Sequence, residues 1–396
     1  MEDIQLVNNA DVVINSNGNI RVNTLDIQYE VINSKDIFSS DNRKLYEFCK
    51  DRKCLVIISE TIYRLYSYKI FHYFKDIILN NQMEIITIKT GEKNKDISNV
   101  LNIINSAKSF KLDRKAALIG IGGGILLDIV GFAASMYRRR IDYVRIPTTL
   151  IGQVDAGIGI KTGVNYCGTK NFIGAFYPPT LVVNDIDLLK TLSKSDFSAG
   201  LSEIVKIGLV CDKYLIEILE EHSDSILDAY PNGENEEVLI KINEIAIVRM
   251  LEQLSNNFLE KKLERLVDFG HTFSPFIEES SDYHIQHGHA VALDMAISTE
   301  LSYQKGYITE YERIRIHTLL HKLGLNLYNS EVFVLEKMWK FLEEVILHRG
   351  NKLNLVVPYG IGKGCFIRDI EEISEGMLWK AFESLKVYRI EDQDCG

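Results

Sequence analysis

The feature that most constrains this chain is one stretch, Ala117 to Met136. In it a short apolar run ends in Gly120-Ile121-Gly122-Gly123-Gly124 and an apolar helical pattern follows at once. A strand that is apolar on both sides needs helices over both sheet faces, so a glycine turn straight into an apolar helix points to a parallel α/β sheet. Further β-rich runs lie at Ile27 to Ile32, Leu55 to Ser59, Glu84 to Lys89, Tyr143 to Ile146 and Leu181 to Val183. Segments of helical spacing separate them, among them Asn42 to Lys50, Ile62 to Leu79 and Asp96 to Phe110. After about Asp187 the texture changes to long amphipathic helical patterns, with one late strand candidate at Leu353 to Val357. At 396 residues the chain exceeds the ~250–300 at which a single core stops growing, so two domains are expected. The reading is a Rossmann-like α/β nucleotide-binding domain over 1–187, with a hairpin or loose arm over residues 1–25, and a mostly α-helical metal- and substrate-binding domain over 188–396.

Charge and composition narrow the partners. Lys plus Arg number 45 against 55 Asp plus Glu, a formal charge of −10 that disfavours a general polyanion binder, so no nucleic-acid partner is expected. Apolar stretches are interrupted by Gly or Asp well short of the ~20 residues that span a bilayer, and no membrane partner is expected either. Met1 to Asn15 carries acidic residues in place of the basic and apolar regions of a secretory signal, which points to the cytoplasm. The six cysteines form no C-x-x-C pair and read as reduced thiols.

Several residue groups carry chemistry. Glycines at Gly122 to Gly124 let a backbone approach a pyrophosphate at a helix N-terminus, although Ile125 stands where the dinucleotide fingerprint has its third glycine, and a plain tight turn is the alternative. Asp128, one turn into an apolar helix, is costly to bury unpaired and could hydrogen-bond a ribose or nicotinamide. Arg138 to Lys170 holds six basic residues (Arg138, Arg139, Arg140, Arg145, Lys161, Lys170) against Asp142 and Asp155, a local positive excess that would draw an anionic substrate. The Gly- and Thr-rich texture around Lys161 and Lys170 reads as ligand-binding loops. Glu203 and Lys206 stand three apart on an otherwise apolar helix: a surface ion pair in the simple reading, a pair pointing into a site in the other. Downstream come His271 and the cluster His284, His287 and His289. One carboxylate with two imidazoles would make an open three-ligand site suited to Zn²⁺.

In this order the blocks resemble the sugar phosphate cyclase superfamily, whose best-known member is 3-dehydroquinate synthase. The blocks are Gly91-Glu92-Lys93-Asn94-Lys95, Gly122 to Asp128 with Gly131 to Ala134, Pro147 to Leu150 through Asp155 and Lys161, Lys170-Asn171, Glu203 with Lys206, Gly270-His271-Thr272, and His287-Gly288. The resemblance implies an NAD-binding domain, a helical metal-binding domain, a cleft between them and a homodimer. It assigns Zn²⁺ or Co²⁺ to Glu203, His271 and His287. It assigns NAD to Glu92, Lys95, Gly123, Gly124, Asp128, Thr148 and Thr149, with Lys161 and Lys170 beside them. Asp155, Lys161, Lys170, Asn171 and Lys206 would hold substrate, and Arg139 its phosphate.

Departures from dehydroquinate synthase narrow the resemblance. Asp268 stands where that enzyme has Asn, Pro275 where it has His, and Met250 where it has a substrate-binding Lys, so a pocket for a carboxylate has lost donors. Asp268 to Pro275, Gly131 to Arg138 and His348-Arg349-Gly350 are similar to C7-cyclitol synthases, above all 2-epi-5-epi-valiolone synthase, which acts on sedoheptulose 7-phosphate. Desmethyl-4-deoxygadusol synthases carry Ala and Thr in place of Asp268 and His348. The implied reaction is transient NAD-dependent oxidation, β-elimination of phosphate, reduction and intramolecular aldol closure. Lys161, Lys206, Asp155, Asp268 and His348 would be its catalytic residues. Alternatives are synthesis of 2-epi-valiolone or desmethyl-4-deoxygadusol, a metal- and NAD-dependent alcohol or glycerol dehydrogenase, and a cyclase-like binding protein without turnover, the last suggested by Arg140 and His289.

Overall fold

The computed structural model describes residues 11–14, 20–23, 27–229, 235–348 and 352–388. Strands β1 (Asp11–Ile14) and β2 (Ile20–Asn23) form an antiparallel pair. Eight strands follow: β3 (Glu30–Ser34), β4 (Cys54–Ser59), β5 (Met83–Ile88), β6 (Ala117–Gly122), β7 (Asp142–Pro147), β8 (Lys161–Tyr166), β9 (Thr169–Phe176) and β10 (Leu181–Asp185). All but β8 and β9 join one parallel sheet in the order β3-β10-β7-β6-β4-β5. Helices α1 (Lys44–Cys49), α2 (Glu60–Tyr73) and α3 (Lys75–Leu79) cover one face. The other carries α4 (Ile97–Ser109) and α5 (Gly124–Met136). Every residue of β4 and β6 is buried, as continuous apolar strands between two helical layers must be. Each such Leu, Ile or Val contributes roughly 1.5–3 kcal/mol of burial. From β4 the chain runs outward to β5 and then back past β4 to β6, so strand order reverses there. Ligands of open α/β sheets sit outside the carboxyl ends at such a reversal.

Helices α6 (Lys194–Cys211), α7 (Lys213–Ala229), α8 (Glu236–Ser255), α9 (Ser274–Ser280), α10 (His287–Gln304), α11 (Glu310–Lys322) and α12 (Leu335–His348) come next. A hairpin of β11 (Leu355–Pro358) and β12 (Gly364–Ile367) precedes α13 (Glu375–Leu385). Residues 197–210 of α6 are all buried, and α10 is buried almost throughout, so both are interior helices that the rest of the bundle wraps. They cross at backbone contact: a Cβ on Gly288 would lie 2.1 Å from the Ala199 carbonyl oxygen. No helix among the described residues is long and apolar enough to cross a membrane.

One expectation is corrected. The Gly- and Thr-rich segment around Lys161 and Lys170 is an antiparallel hairpin, β8 with β9, turning at Cys167 and Gly168, both at positive φ. Its glycines serve strand contact: a Cβ on Gly174 would stand 2.2 Å from the Thr162 carbonyl oxygen.

Candidate active site

The cleft opens beyond the carboxyl ends of the sheet. Gly122 ends β6 and Gly123 precedes the first turn of α5, with Thr149 packed so closely that a Cβ on Gly123 would lie 3.2 Å from its methyl group. Thr148 N–H donates to the Gly122 carbonyl, and Thr149 Oγ1 accepts from Gly152 N–H. A glycine turn at the N-terminus of a 13-residue helix fits a pyrophosphate, since glycines let it approach the free backbone N–H groups of the first turn. Asp128 is not left unpaired: Lys95 Nζ bridges its carboxylate at 2.6 Å and Asn171 Oδ1 at 2.6 Å, tying α5 to the hairpin.

Glu203 reaches the interior because α6 is buried on every side over residues 197–210; it is 1% exposed. His271 follows the short turn Leu266–Asp268, and His287 is the first residue of α10. Ligand atoms of the three residues lie within 4.8 Å of one another. His271 Nδ1 donates to the Phe269 carbonyl and His287 Nδ1 to Glu278 Oε1, each at 3.0 Å, which leaves both Nε2 atoms for the centre. Both Glu203 oxygens are buried without a well-formed hydrogen bond. Lys206 Nζ and His287 Nε2 are near them, at 2.5 and 3.3 Å, but poorly directed. An orphaned buried carboxylate facing two imidazole nitrogens is a donor set that fits Zn²⁺ or Co²⁺.

Electrostatics support that fit. Burial would raise the Glu203 pKa, yet Lys206 and then His287 and His271 hold it well below the carboxylate range. Burial, followed by Lys206, lowers His271. Burial alone would lower His287, but the carboxylates of Glu203 and Glu278 beside it push it up to about 10, so the pocket favours positive charge at this position. Lys206, 1% exposed, also donates to Asp155 Oδ2 at 2.6 Å; these two carboxylates overcome burial and keep it charged. Glu203 and Lys206 therefore form a buried pair, not the surface one of the simple reading.

Asp128, Asp155, Lys161, Asn171, Lys206, Asp268 and His271 line one cleft of about 510 Å³, together with the apolar Met250, Leu254 and Phe258. Glu92, Lys95 and Lys170 line an adjoining recess with Asn165 and Tyr283. Other expected residues lie elsewhere. Arg139 and its neighbours Arg138 and Arg140 stand on the exposed turn after α5, outside the residues lining this cleft. Arg145 is no surface charge: it is fully buried and donates to the carbonyls of Gly157, Gly159 and Lys161. His284 pairs with Glu331 at the surface and His289 with Ser195. The side chain of His348, with Arg349 and Gly350, lies outside the described residues.

Four residues were not anticipated. Glu260, at φ 51, holds Lys161 Nζ at 2.5 Å, and Arg265 joins Glu260 to Asp268. Glu278 backs His287. Asp294, fully buried on α10, accepts from Ser274 N–H at 2.9 Å and from Phe273 N–H, and so fixes the loop that carries His271. Asp294, a carboxylate inside the apolar run Ala290-Val291-Ala292-Leu293-Asp294-Met295-Ala296-Ile297, was a legible signal, the same one that marked Asp128.

Comparison with known proteins agrees with this geometry. A family model described as 3-dehydroquinate synthase N-terminal matches residues 85–199, and one described as 3-dehydroquinate synthase C-terminal matches residues 200–344. A 2-epi-5-epi-valiolone synthase of Streptomyces glaucescens is 38% identical over 358 residues, which cover 90% of this chain and 91% of that protein. A demethyl-4-deoxygadusol synthase of Trichormus variabilis is 35% identical over 361 residues, 89% of this chain and 87% of that one. Among solved structures, ValA (2-epi-5-epi-valiolone synthase) from Streptomyces hygroscopicus subsp. jinggangensis 5008, with NAD⁺ and Zn²⁺ bound, matches with a TM-score of 0.85 at 34% identity, covering 93% of this chain and 100% of that one. A buried carboxylate–imidazole triad, on a chain matched over nine-tenths of its length by such relatives, places the chain in the 3-dehydroquinate synthase family, among the sugar phosphate cyclases.

Proposed function

We propose that this enzyme converts sedoheptulose 7-phosphate to 2-epi-5-epi-valiolone with release of phosphate and no net redox change. The observation that carries the reading is the composition of the cleft. Glu203, His271 and His287 meet beside two ammonium groups, Lys161 and Lys206, while the lining also presents Met250, Leu254 and Phe258, and its other cation among the described residues, Arg265, is engaged by Glu260 and Asp268 and so is not free for a substrate carboxylate. A phosphorylated polyol suits such a cleft. The relatives named 2-epi-5-epi-valiolone synthase support the choice of polyol.

In this reading Glu203, His271 and His287 hold Zn²⁺ or Co²⁺. Gly123, Gly124, Thr148 and Thr149 cradle NAD⁺, with Asp128, Lys95, Glu92 and Lys170 at its edge. When bound, these groups supply a Lewis acid and a recyclable hydride acceptor. The protein's own residues do the rest. Lys206, held charged between Glu203 and Asp155, donates a hydrogen bond to oxygens that gain negative charge. Asp155, with its side chain 28% exposed, is placed to take a hydroxyl proton, its carboxylate oriented by the hydrogen bond from Lys206. Lys161, with its side chain 59% exposed, faces the phosphate from a tether on Glu260, and Asn171 orients the chain of hydroxyls. Asp268, clasped by Arg265, offers an acceptor to a hydroxyl where a carboxylate would be repelled. The apolar wall keeps water from the ring-closing carbons. A homodimer belongs to the same proposal.

The test is incubation of purified protein with sedoheptulose 7-phosphate, catalytic NAD⁺ and Zn²⁺ or Co²⁺, following phosphate and identifying the product by mass and NMR. Phosphate release with a C7 cyclitol and no accumulated NADH is the expected result. A deoxygadusol or 2-epi-valiolone product would move the chain to a neighbouring activity, and NADH accumulation without phosphate release would replace the reading by a dehydrogenase.

A further inference from the structure

One buried carboxylate joins the triad to the far side of the cleft. Glu278 is 7% exposed on α9, and its two oxygens serve different neighbours. Oε1 accepts from His287 Nδ1 at 3.0 Å, and Oε2 accepts from Lys170 Nζ at 2.7 Å. Lys170 comes from β9, in the α/β part of the molecule, and α9 from the helical part, so this ion pair bridges the two sides. Around Lys170 Nζ the Tyr283 ring lies at 4.5 Å and Glu92 at 3.8 Å, and Glu92 in turn accepts from Asn165 at 2.7 Å. Lys170, Tyr283, Glu92 and Asn165 line the recess whose Lys95 bonds Asp128 of α5.

The chemistry of each link is directional. A carboxylate on Nδ1 fixes the imidazole with Nε2 toward Glu203 and raises its basicity as a ligand. Glu278 can stay buried as an anion because Lys170 lies against it; without that partner its desolvation would go unbalanced. Anything that orders Lys170 therefore orders Glu278, and with it the ring of His287.

Resting on the reading above, in which His287 meets the cation and Lys170 the dinucleotide, we propose that Glu278 is a positioning residue that couples the two sites. Occupancy of the recess around Lys170 tightens cation binding at the triad, and cation binding tightens the dinucleotide by the same factor, as reciprocity requires. The sign is positive because both ligands order one shared chain, Lys170–Glu278–His287, and the second to arrive finds it already ordered.

The experiment uses full-length protein stripped of metal, with Co²⁺ affinity measured by competition against a chelator and by its visible absorption, with and without saturating NAD⁺. In the wild type NAD⁺ is expected to tighten Co²⁺ at least about fivefold, and Co²⁺ to tighten NAD⁺ equally. Glu278→Gln is expected to weaken Co²⁺ by about 10–100-fold and to shift its absorption bands. Lys170→Met, which strips Glu278 of its buried partner, is expected to weaken Co²⁺ binding and to lose its response to NAD⁺, and Lys170→Arg to restore part of both. Wild-type protein that binds neither ligand would remove the functional reading and the coupling with it. Binding of both with unchanged affinities in each other's presence, or wild-type affinity and coupling in Glu278→Gln, would overturn the coupling alone. The wild-type comparison needs no variant to fold.

Discussion

Replacing Gly288 by Ala tests whether main-chain contact sets the spacing of the triad. A Cβ there would stand 2.1 Å from the Ala199 carbonyl oxygen, 2.6 Å from its carbon and 2.8 Å from its Cα. All three are backbone atoms inside α6, so no rotamer change relieves the clash. An ordinary contact begins at 3.4 Å, so α6 and α10 must part by roughly 1 Å at this point. Because His287 precedes Gly288, the separation passes straight to its Nε2, which stands 3.3 Å from Glu203 Oε1. Metal–ligand distances tolerate only about 0.2 Å. Overpacking of this kind costs about 1–3 kcal/mol of stability, and cation affinity should fall by at least about 10–100-fold. Denaturant unfolding in EDTA isolates the packing loss; metal content after gel filtration and chelator competition report the site. Gly376→Ala in α13, where the nearest atom to a new Cβ is 3.7 Å away, is the control and should stabilise slightly. A Gly288→Ala protein with wild-type unfolding and wild-type zinc affinity would refute the reasoning.

Further outcomes are expected elsewhere. His317, 2% exposed beneath Tyr388 and near Arg313 and Glu300, has its pKa lowered from 6.5 to about 4, by burial and then by Arg313. The unfolded chain binds the proton first, so this contribution is full above pH 6.5 and is lost as pH falls toward 4, by about 3 kcal/mol in all. The stability profile of His317→Leu should lack that slope, and parallel profiles would exclude it. Asp294→Asn, which weakens the acceptor for Phe273 and Ser274 N–H, should cost about 1–3 kcal/mol in urea unfolding and lower zinc occupancy. Lys206→Met should lose about 3–5 kcal/mol by leaving Glu203 without its buried partner, and should abolish phosphate release. Retained turnover in Lys206→Met would remove Lys206 from the chemistry.

Much of the architecture was legible because it rests on local pattern. The run Ala117 to Gly122 and the glycines behind it dictate a buried strand and a turn whatever surrounds them, and the apolar frame of Glu203 announces an interior helix. Contacts distant in sequence were not legible. The stretch around Lys161 and Lys170 reads as loop because it is dense in Gly and Thr, yet Gly163 and Gly174 are there to let two strands touch. Arg145 counts as surface charge in any tally of a basic run, and only the convergence of three carbonyls shows otherwise. Glu260 and Glu278 depend on residues about 100 positions away, Lys161 and Lys170, which no local pattern relates to them.

The buried guanidinium of Arg145 has a consequence for the cleft floor. Gly157 and Gly159 have no side chains with which to pack, and glycine loses more backbone entropy on folding than any other residue. Arg145 supplies the missing core: one planar cation, 0% exposed, gathers the carbonyls of Gly157, Gly159 and Lys161 and stiffens a segment that would otherwise sample many conformations. The floor can thus be bare enough for close approach by a ligand and yet ordered before one arrives, so that little binding free energy is diverted into organising the backbone from which Lys161 projects.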